Sequence, residues 1–323
     1  MKTINIMTSC DGNLMKFIPI QLESITSHLQ DTNVNFYLFH DGKNQNYVNL
    51  LKKLTYDNIT FNDVIVKDTE IYESIAKYGG SWCGAAYYSL CAYKYLPSDM
   101  ERILYIDAAD VLIIDNIDDY YFTDFEDNAL IVTGGKFKLF YKTAVPYEQI
   151  DILNKLRFEE LALGIFNSGS YIINLNKMRE QNYSIDDYLK CAEILYKLSN
   201  KDKKTKIYLG DQGFMSFNFV GAIKYLDYPE IINLWHMPYN FCLWYFDKMK
   251  KKPNYKISIL HYAGVPFKPW VGIYPVFLER FQDENKMRNL NELKLGQAEY
   301  YYLWHEYAIL ADMRLDACAI EGL

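Results

Sequence analysis

The first third of the chain alternates short apolar runs with stretches in which apolar residues recur every three or four positions. The short runs predict buried strands, and the periodic stretches predict helices. The predicted strands are Thr3–Met7, Val34–Phe39, Ile59–Val66 and Arg102–Ile106. The predicted helices are Pro19–Leu29, Asn44–Leu54 and Ala85–Leu96. Strands that alternate with helices indicate a mostly parallel sheet covered on both faces.

The pattern is less regular in the rest of the chain. The further predicted strands are Ala129–Thr133, Gly169–Leu175 and Ile257–His261. The further predicted helices are a polar insert at Tyr147–Leu163, the segment Lys177–Leu198 and the tail Asn291–Ile320. The tail carries one stripe made of Leu303, Tyr307, Leu310 and Arg314. Because the sequence has no internal repeat and no linker, we expect one α/β domain over residues 1–285, followed by a helical C-terminal extension over residues 286–323.

Composition and charge exclude several classes of protein. The net charge of −7 argues against nucleic acid as a partner, since phosphate binding relies on clustered Lys and Arg. The basic run Lys201–Lys206 has polar neighbours and is typical of a solvated loop. The cysteines are scattered and form no CxxC pair, which favours reduced thiols in a cytoplasmic protein over a disulfide framework or a zinc site.

A membrane location is also disfavoured. No segment approaches the about 20 apolar residues that a transmembrane helix needs, and the apolar stretch at the N-terminus is too short for a signal peptide. The tail over residues 297–323 holds several acidic residues against Arg314 alone. Electrostatic docking to anionic lipid is therefore disfavoured, and we expect a cytoplasmic protein.

Two aspartates interrupt the most apolar part of the sequence. Asp107 and Asp110 lie between the apolar runs 103–106 and 111–114. Carboxylates at the end of a buried strand are costly unless a positive group compensates their desolvation. Hard cations such as Mn²⁺ and Mg²⁺ prefer carboxylate oxygen, but Asp is equally common in turns that follow strands. From this segment alone, a metal site and a simple turn are equally good interpretations.

Seven fragments, taken together, resemble motifs of glycosyltransferase family 8 in the family's order. These fragments are Asp11-Gly12-Asn13, Asp107-Ala108-Ala109-Asp110, Phe166-Asn167-Ser168-Gly169, Asn174-Leu175 with Met178-Arg179, Asp211-Gln212, Met237-Pro238-Tyr239-Asn240, and His261-Tyr262-Ala263-Gly264 with Lys268-Pro269-Trp270. The family comprises retaining enzymes such as bacterial lipopolysaccharide galactosyl- and glucosyltransferases, galactinol synthase and glycogenin. The resemblance runs from residue 3 to about residue 281. It implies a GT-A fold, which is a Rossmann-like domain for nucleotide-diphospho-sugars.

The resemblance also implies a reaction and a set of site residues. It implies a retaining hexosyltransferase that uses UDP-galactose or UDP-glucose as donor and a glycan or glycoprotein as acceptor. It implies Mn²⁺, or Mg²⁺, held by Asp107, Asp110 and His261. The donor contacts that it implies are Thr8, Asp11, Asn13, Asn167, Ser168, Asp211, Gln212, Gly264 and Lys268.

Three of these donor contacts are candidates for the reaction itself. Lys268 would be a mobile cation beside the departing diphosphate. Asp211 would bind hydroxyl groups of the sugar, although at the start of a predicted helix it could also be only an N-cap. Gln212 would lie near the anomeric carbon, where an amide is a poor nucleophile.

The sequence departs from the family pattern at three places. Two residues separate Asp107 from Asp110 where the family usually has one, and residues three apart on a strand point to opposite faces, so the backbone must bulge or turn. Ser89 stands where many members have Arg, and the loop from Gly264 to Lys268 is one residue longer than usual. The alternatives are a catalytically impaired UDP-sugar-binding relative, a glycogenin-like self-glycosylating protein, and a nucleotidyltransferase. The last is disfavoured because the segment after the first strand lacks a basic, Gly-rich loop.

Overall fold

The computed structural model of the protein describes nine segments of the chain. These are residues 1–79, 83–133, 166–201, 210–219, 221–226, 231–233, 257–262, 268–271 and 302–319. The predicted helix Tyr147–Leu163, the fragment Met237-Pro238-Tyr239-Asn240 and Gly264 lie outside these segments. The domain boundary at residue 285 also lies outside them and stays a prediction.

The described strands form two sheets. In chain order they are β1 (Lys2–Ser9), β2 (Thr32–His40), β3 (Ile59–Ile65), β4 (Arg102–Ile106), β5 (Val111–Ile113), β6 (Leu130–Thr133), β7 (Ser170–Asn174), β8 (Ile223–Leu226), β9 (Ile231–Asn233) and β10 (Ile259–His261). The larger sheet has the order β3-β2-β1-β4-β7-β6-β8, and the smaller one has the order β5-β10-β9. In the larger sheet β7 runs antiparallel to β4 and β6, and the other pairs are parallel. The prediction of a mixed, mostly parallel sheet is confirmed.

Helices cover both faces of the larger sheet. They are α1 (Ile18–His28), α2 (Gln45–Leu51), α3 (Thr69–Gly79), α4 (Asp118–Tyr121), α5 (Leu175–Gln181), α6 (Ile185–Lys201), α7 (Asp211–Asn218) and α8, which is described over residues 302–319. The prediction of one helix over Lys177–Leu198 is wrong, because Asn182 ends α5 in the left-handed conformation with a φ of 47°. The predicted helix Ala85–Leu96 is instead a 3₁₀ segment, Gly84–Lys94, with non-helical backbone at Cys91. Helix α3 has no counterpart in the prediction.

Strand β4 lies in the middle of the larger sheet, with a hydrophobic core on each face. Side chains of successive strand residues point to opposite faces. Leu104 and Ile106 pack with residues of α1 and α2, whereas Ile103 and Tyr105 pack with residues of α3, α5, α6 and α7. These buried side chains hold β4 in place and thereby fix the position at which the two aspartates begin.

Helix α8 packs against α1 and the smaller sheet. Trp304, Tyr307 and Ala311 are buried there in a cluster that includes Ile20. Leu310, which the predicted stripe places with Tyr307, is 43% exposed, so the prediction is wrong at this position. Among the described residues, no helix has both the length and the hydrophobicity that crossing a membrane requires.

Candidate functional site

A turn connects β4 to β5 and carries the two aspartates. Strand β4 ends at Ile106, and β5 begins at Val111, in the other sheet. Within the turn Ala109 has a φ of 73°, a left-handed conformation that residues other than glycine rarely adopt. The predicted change of backbone direction between Asp107 and Asp110 is confirmed, and it is a turn between two strands rather than a bulge within one.

Neighbouring elements hold the backbone of this turn. The side-chain amide of Gln21, in the middle of α1, donates to the carbonyl oxygens of Asp107 at 2.7 Å and Val111 at 2.9 Å. The backbone N–H of Tyr262, just after β10, donates to the carbonyl oxygen of Asp110 at 2.8 Å. Gln21 is completely buried, so these bonds are shielded from water. The backbone that carries the two aspartate side chains is therefore fixed.

Three side chains with metal-binding atoms meet beside the turn. The Nε2 atom of His261 lies 3.6 Å from Asp107 Oδ2 and 3.6 Å from Asp110 Oδ2. One ligand atom from each of the three residues lies within 4.8 Å of the others. The side chain of Asp110 is 5% exposed and that of Asp107 is 32% exposed, so the group opens toward solvent on the side of Asp107.

The orientation of the His261 ring is set by Asn167. The Oδ1 atom of Asn167 accepts a hydrogen bond from the backbone N–H of Gly169 at 3.0 Å, which identifies this atom as the oxygen. The same oxygen lies 2.9 Å from Nδ1 of His261, so Nδ1 carries the hydrogen and donates it. In the neutral ring Nε2 is then unprotonated and faces the aspartates, which is the usual arrangement of a metal-binding histidine.

The residues present fit a divalent cation. Two carboxylates and one neutral imidazole form a ligand set that suits Mn²⁺. The Oδ1 atom of Asp110 is buried and has no hydrogen-bond partner among the described residues, and an unsatisfied buried oxygen is costly. Gly169 leaves room for the imidazole, since a Cβ atom there would lie 2.1–2.7 Å from atoms of the His261 ring. The donor atoms, the orientation of the His261 ring and the room that Gly169 leaves for this ring therefore all suit a metal site.

The pKa of His261 supports this arrangement. Burial lowers the pKa of its imidazole, and the negative charges of Asp107 and Asp211 oppose this only in part. The imidazole is therefore neutral at neutral pH. A neutral imidazole can act as a metal ligand, whereas a protonated one cannot.

Lys268 supplies a positive charge at the same place. Its ammonium contacts Oδ2 of Asp110 and lies 5.8 Å from the centre of the Trp270 ring. Burial lowers the pKa of Lys268, and the charge of Asp107 opposes this. A metal ion held by Asp110 would share that carboxylate with Lys268 or displace the ammonium from it.

Asp211 is connected to the site through Ser168, which follows Asn167 in the sequence. The Oγ atom of Ser168 donates to Oδ2 of Asp211. Asp211 is the first residue of α7, and the N-cap is Gly210, so the alternative that Asp211 is only an N-cap is wrong. Gln212 follows it on α7. Two predicted donor contacts, Asn167 and Ser168, thus connect His261 to Asp211.

Three other predicted contacts lie in β1 or in the turn after it. The Oδ1 atom of Asp11 accepts a hydrogen bond from the backbone N–H of Asn13 at 3.1 Å, and Asn13 is exposed. Thr8, in β1, is completely buried, and its Oγ1 atom has no hydrogen-bond partner among the described residues. Because β1 pairs in parallel with β4, the turn after β1 lies at the same edge of the sheet as Asp107.

The structure adds residues that the motifs do not contain. The hydroxyl of Tyr105 donates to Oδ1 of Asp107 at 3.0 Å, and its ring stacks on that of Tyr171 with centroids 4.8 Å apart. The hydroxyl of Tyr171 donates in turn to Ser89 at 2.7 Å. Ser89 is buried, so it supports Asp107 from within the core. Tyr105 could be found from the sequence by its position two residues before Asp107, because residues two apart on a strand have their side chains on the same side.

The comparison with known families decides what this site belongs to. The sequence model of Glycosyl transferase family 8 matches residues 5–273, which include every site residue named above. The chain belongs to this family. The resemblance drawn from the seven fragments is confirmed, and so is the prediction that the protein is an enzyme of this family.

Two known glycosyltransferases are similar in sequence to this chain. Lipopolysaccharide 1,2-glucosyltransferase of Escherichia coli strain K12 is 24% identical over 283 residues, covering 84% of this chain and 75% of that protein. Lipopolysaccharide 1,3-galactosyltransferase of Salmonella typhimurium is 22% identical over 278 residues, covering 84% of this chain and 75% of that protein. With the family match, these relatives confirm the prediction of a hexosyltransferase.

Solved structures share the fold of this glycosyltransferase. The galactosyltransferase LgtC, crystallised with donor and acceptor sugar analogues, has a TM-score of 0.57 at 22% identity, covering 83% of this chain and 89% of that chain. Mouse xyloside xylosyltransferase 1 has a TM-score of 0.55 at 17% identity, covering 83% of this chain and 99% of that chain. The predicted GT-A fold is confirmed.

Proposed function

We propose that this glycosyltransferase moves a hexose from UDP-galactose or UDP-glucose, with retention at the anomeric carbon, to a glycan or glycoprotein acceptor. The glucosyl- and galactosyltransferases among its relatives support a hexose as the transferred sugar. The observation that carries the proposal is the meeting of Asp107, Asp110 and His261 at the carboxyl edge of β4. A cation site at this place suits a reaction in which a diphosphate leaves.

Asp107, Asp110 and His261 would hold Mn²⁺ or Mg²⁺. When bound, the ion supplies positive charge that stabilises the departing diphosphate. Two features support this assignment: the unprotonated Nε2 of His261, and the buried Oδ1 of Asp110, which has no hydrogen-bond partner among the described residues. Lys268, whose ammonium contacts Asp110, would provide a second positive charge for the same diphosphate, in the predicted role of a mobile cation.

The other site residues would hold the two ends of the donor. Asp11 and Asn13, in the turn after β1, would bind the uridine end. Thr8 and Gly264 are further donor contacts that we propose. The contacts proposed for the hexose are Asn167, Ser168, Asp211 and Gln212. The hydrogen bonds that join Asn167 to His261 and Ser168 to Asp211 support a sugar pocket directly beside the ion.

The side chains of this pocket favour attack by the acceptor itself. Asp211 is already engaged with Ser168, and we propose that it binds hydroxyl groups of the hexose. Gln212 is an amide and would be a poor nucleophile. The acceptor hydroxyl would therefore attack the anomeric carbon on the face from which UDP leaves, through an oxocarbenium-like state. The bond between that carbon and the diphosphate would break, the departing phosphate oxygen would take the hydroxyl proton, and retention follows.

We also propose a reducing compartment, the cytoplasm, as the place of the reaction. Cys10, Cys83, Cys91 and Cys318 are free thiols, and two of them, Cys10 and Cys91, are buried. Free cysteines that are scattered through the fold are typical of proteins in a reducing environment.

Incubation of the purified protein with each UDP-hexose tests the proposed function. With Mn²⁺ present, one of the two sugars should be hydrolysed slowly, and a chelator should stop the hydrolysis. Asp110→Asn should abolish it, whereas Asp118→Asn should leave it unchanged, because Asp118 pairs with Lys2 at the opposite edge of the sheet. If calorimetry detects no binding of either UDP-hexose, with or without Mn²⁺, the proposed function is wrong.

A further inference from the structure

Ala109, between the two aspartates, has an unfavourable backbone conformation. A residue far away in the sequence holds it there. Ala109 adopts a φ of 73°. A conformation of this kind persists only when surrounding groups hold it. The carbonyl oxygen of Ala109 accepts a hydrogen bond from Nε1 of Trp304, in α8, at 3.1 Å. Trp304 is 4% exposed, so water does not compete effectively for this bond.

This bond acts on Asp110 through the peptide group. The peptide that joins Ala109 to Asp110 is planar, so the direction of the Ala109 carbonyl determines where the Cα atom of Asp110 lies. On its other side, the carbonyl oxygen of Asp110 accepts a hydrogen bond from Tyr262 N–H at 2.8 Å. The backbone of Asp110 is therefore fixed from both sides, and Trp304 provides one of the two fixed points.

The ring of Trp304 also lies next to the segment that carries Lys268. It packs edge-on against Phe17, with centroids 5.7 Å apart, and lies 6.1 Å from the ring of Trp270. Phe17 and Trp270 stack on each other at 4.7 Å. The Lys268 ammonium lies over Trp270 and contacts Asp110. Trp304 thus contacts the backbone next to Asp110, which carries the carboxylate, and the ring of Trp270, over which the Lys268 ammonium lies.

Other contacts attach α8 to the domain without touching the turn. The hydroxyl of Tyr307 lies 2.6 Å from Nε2 of His28. Arg314 pairs with Glu23 and donates to the carbonyl oxygen of Thr55 at 2.8 Å. Helix α8 therefore has its own anchors on α1, and these should keep it in place when the indole N–H alone is removed.

We propose that Trp304 is a positioning residue for the metal-binding carboxylate of Asp110. This inference rests on the proposed function, in which Asp110 is a metal ligand. Groups that orient metal ligands typically change metal affinity or activity about 10–100-fold when they are removed. Trp304 lies outside residues 5–273, the segment that the family model matches.

The test compares Trp304→Phe with Tyr307→Phe, which removes the other hydrogen-bonding group on the buried face of α8. Electron paramagnetic resonance of free Mn²⁺, with UDP present, measures metal affinity in each variant and in the wild type. We expect Trp304→Phe to weaken Mn²⁺ binding about tenfold and to lower kcat, while Tyr307→Phe leaves Mn²⁺ affinity unchanged. Both variants should lower the thermal midpoint, so only the metal affinity distinguishes positioning from structural support.

Two further variants make the test independent of one substitution. Trp304→Met removes the same N–H with a side chain that adapts to irregular space, and it should show the same loss of Mn²⁺ affinity. In Trp304→Phe, a second change, Ala109→Gly, should recover part of the lost affinity, because glycine adopts a positive φ without steric strain.

The outcomes separate this inference from the proposed function. If Trp304→Phe or Trp304→Met binds Mn²⁺ as tightly as the wild type, Trp304 is only structural and the proposed function is untouched. If Tyr307→Phe loses as much affinity as Trp304→Phe, the effect belongs to the docking of α8, and positioning by the indole is wrong. If the wild type itself binds no Mn²⁺ with UDP, both the inference and the metal site of the proposed function are wrong.

Discussion

Two turns at the same edge of the larger sheet carry polar residues, and they are built differently. The turn after β1 closes on itself, since Oδ1 of Asp11 accepts from the N–H of Asn13, and Asn13 is exposed. The turn after β4 is held by α1, by the segment after β10 and by α8, and Asp110 within it is buried.

The difference indicates two kinds of ligand. A group that is buried and fixed before the ligand arrives suits a small ion, because metal ligands must hold a defined geometry. A turn that is exposed at Asn13, and in which Asp11 bonds to the N–H groups of Asn13 and Leu14, suits a larger, flexible ligand whose contacts complete the ordering. We therefore expect changes in the turn after β4 to affect the metal and the reaction, and changes in the turn after β1 to affect affinity for the nucleotide.

The largest expected effect comes from making the same change in both turns. Asp110→Asn removes the buried carboxylate charge and should lower Mn²⁺ affinity and hexose transfer by about 100-fold or more. Asp11→Asn keeps an oxygen that can accept from the N–H of Asn13, so it should leave Mn²⁺ affinity unchanged and weaken UDP binding only a few-fold. Calorimetry with Mn²⁺ and with UDP measures both. Equal losses of Mn²⁺ affinity in the two variants would contradict the distinction between the turns.

A second matched pair concerns the glycines. Gly169→Ala puts a Cβ atom 2.1–2.7 Å from atoms of the buried His261 ring, which cannot move without losing Asn167. It should lower the free energy of unfolding by about 1–3 kcal/mol and also weaken Mn²⁺ binding.

The control is Gly12→Ala in the other turn. There a Cβ atom would meet the side chain of Asn44 at 2.0 Å, but Asn44 is exposed and can rotate away. The free energy of unfolding should change by less than about 0.5 kcal/mol. Denaturant unfolding of both variants measures the difference, and an equal loss in the two would show that His261 is not tightly held.

The smallest expected effect is that of Asn13→Ala. The backbone N–H that bonds to Asp11 remains, so stability and Mn²⁺ affinity should not change. UDP affinity should fall by the value of one hydrogen bond, about 0.5–1.5 kcal/mol, which is roughly a twofold to thirteenfold rise in Kd. Unchanged UDP affinity would remove Asn13 from the donor site.

The sequence predicts strand β4, which ends at the site, but not the backbone geometry of the turn that follows it. The apolar run of β4 ends sharply at Asp107, so its predicted bounds, Arg102–Ile106, agree with the structure. The left-handed conformation of Ala109 depends on hydrogen bonds from Gln21 and Trp304, which are far away in the sequence. A local pattern contains no information about such partners.

The same limit explains the errors in the helices. The apolar spacing over Lys177–Leu198 continues across α5 and α6, and only the conformation of Asn182 ends the first helix. In the tail the predicted stripe included Leu310, but contacts with α1 and the smaller sheet select Trp304 and Ala311 instead. Tertiary contacts decide which face of an amphipathic helix is buried when several faces carry apolar residues.

Anomalous diffraction at the manganese absorption edge, from crystals grown with Mn²⁺ and UDP, tests the central claim most directly. We predict one strong peak in contact with carboxylate oxygens of Asp107 and Asp110 and with Nε2 of His261. A structure with UDP bound but no manganese at these three residues, or with manganese held elsewhere, would contradict it.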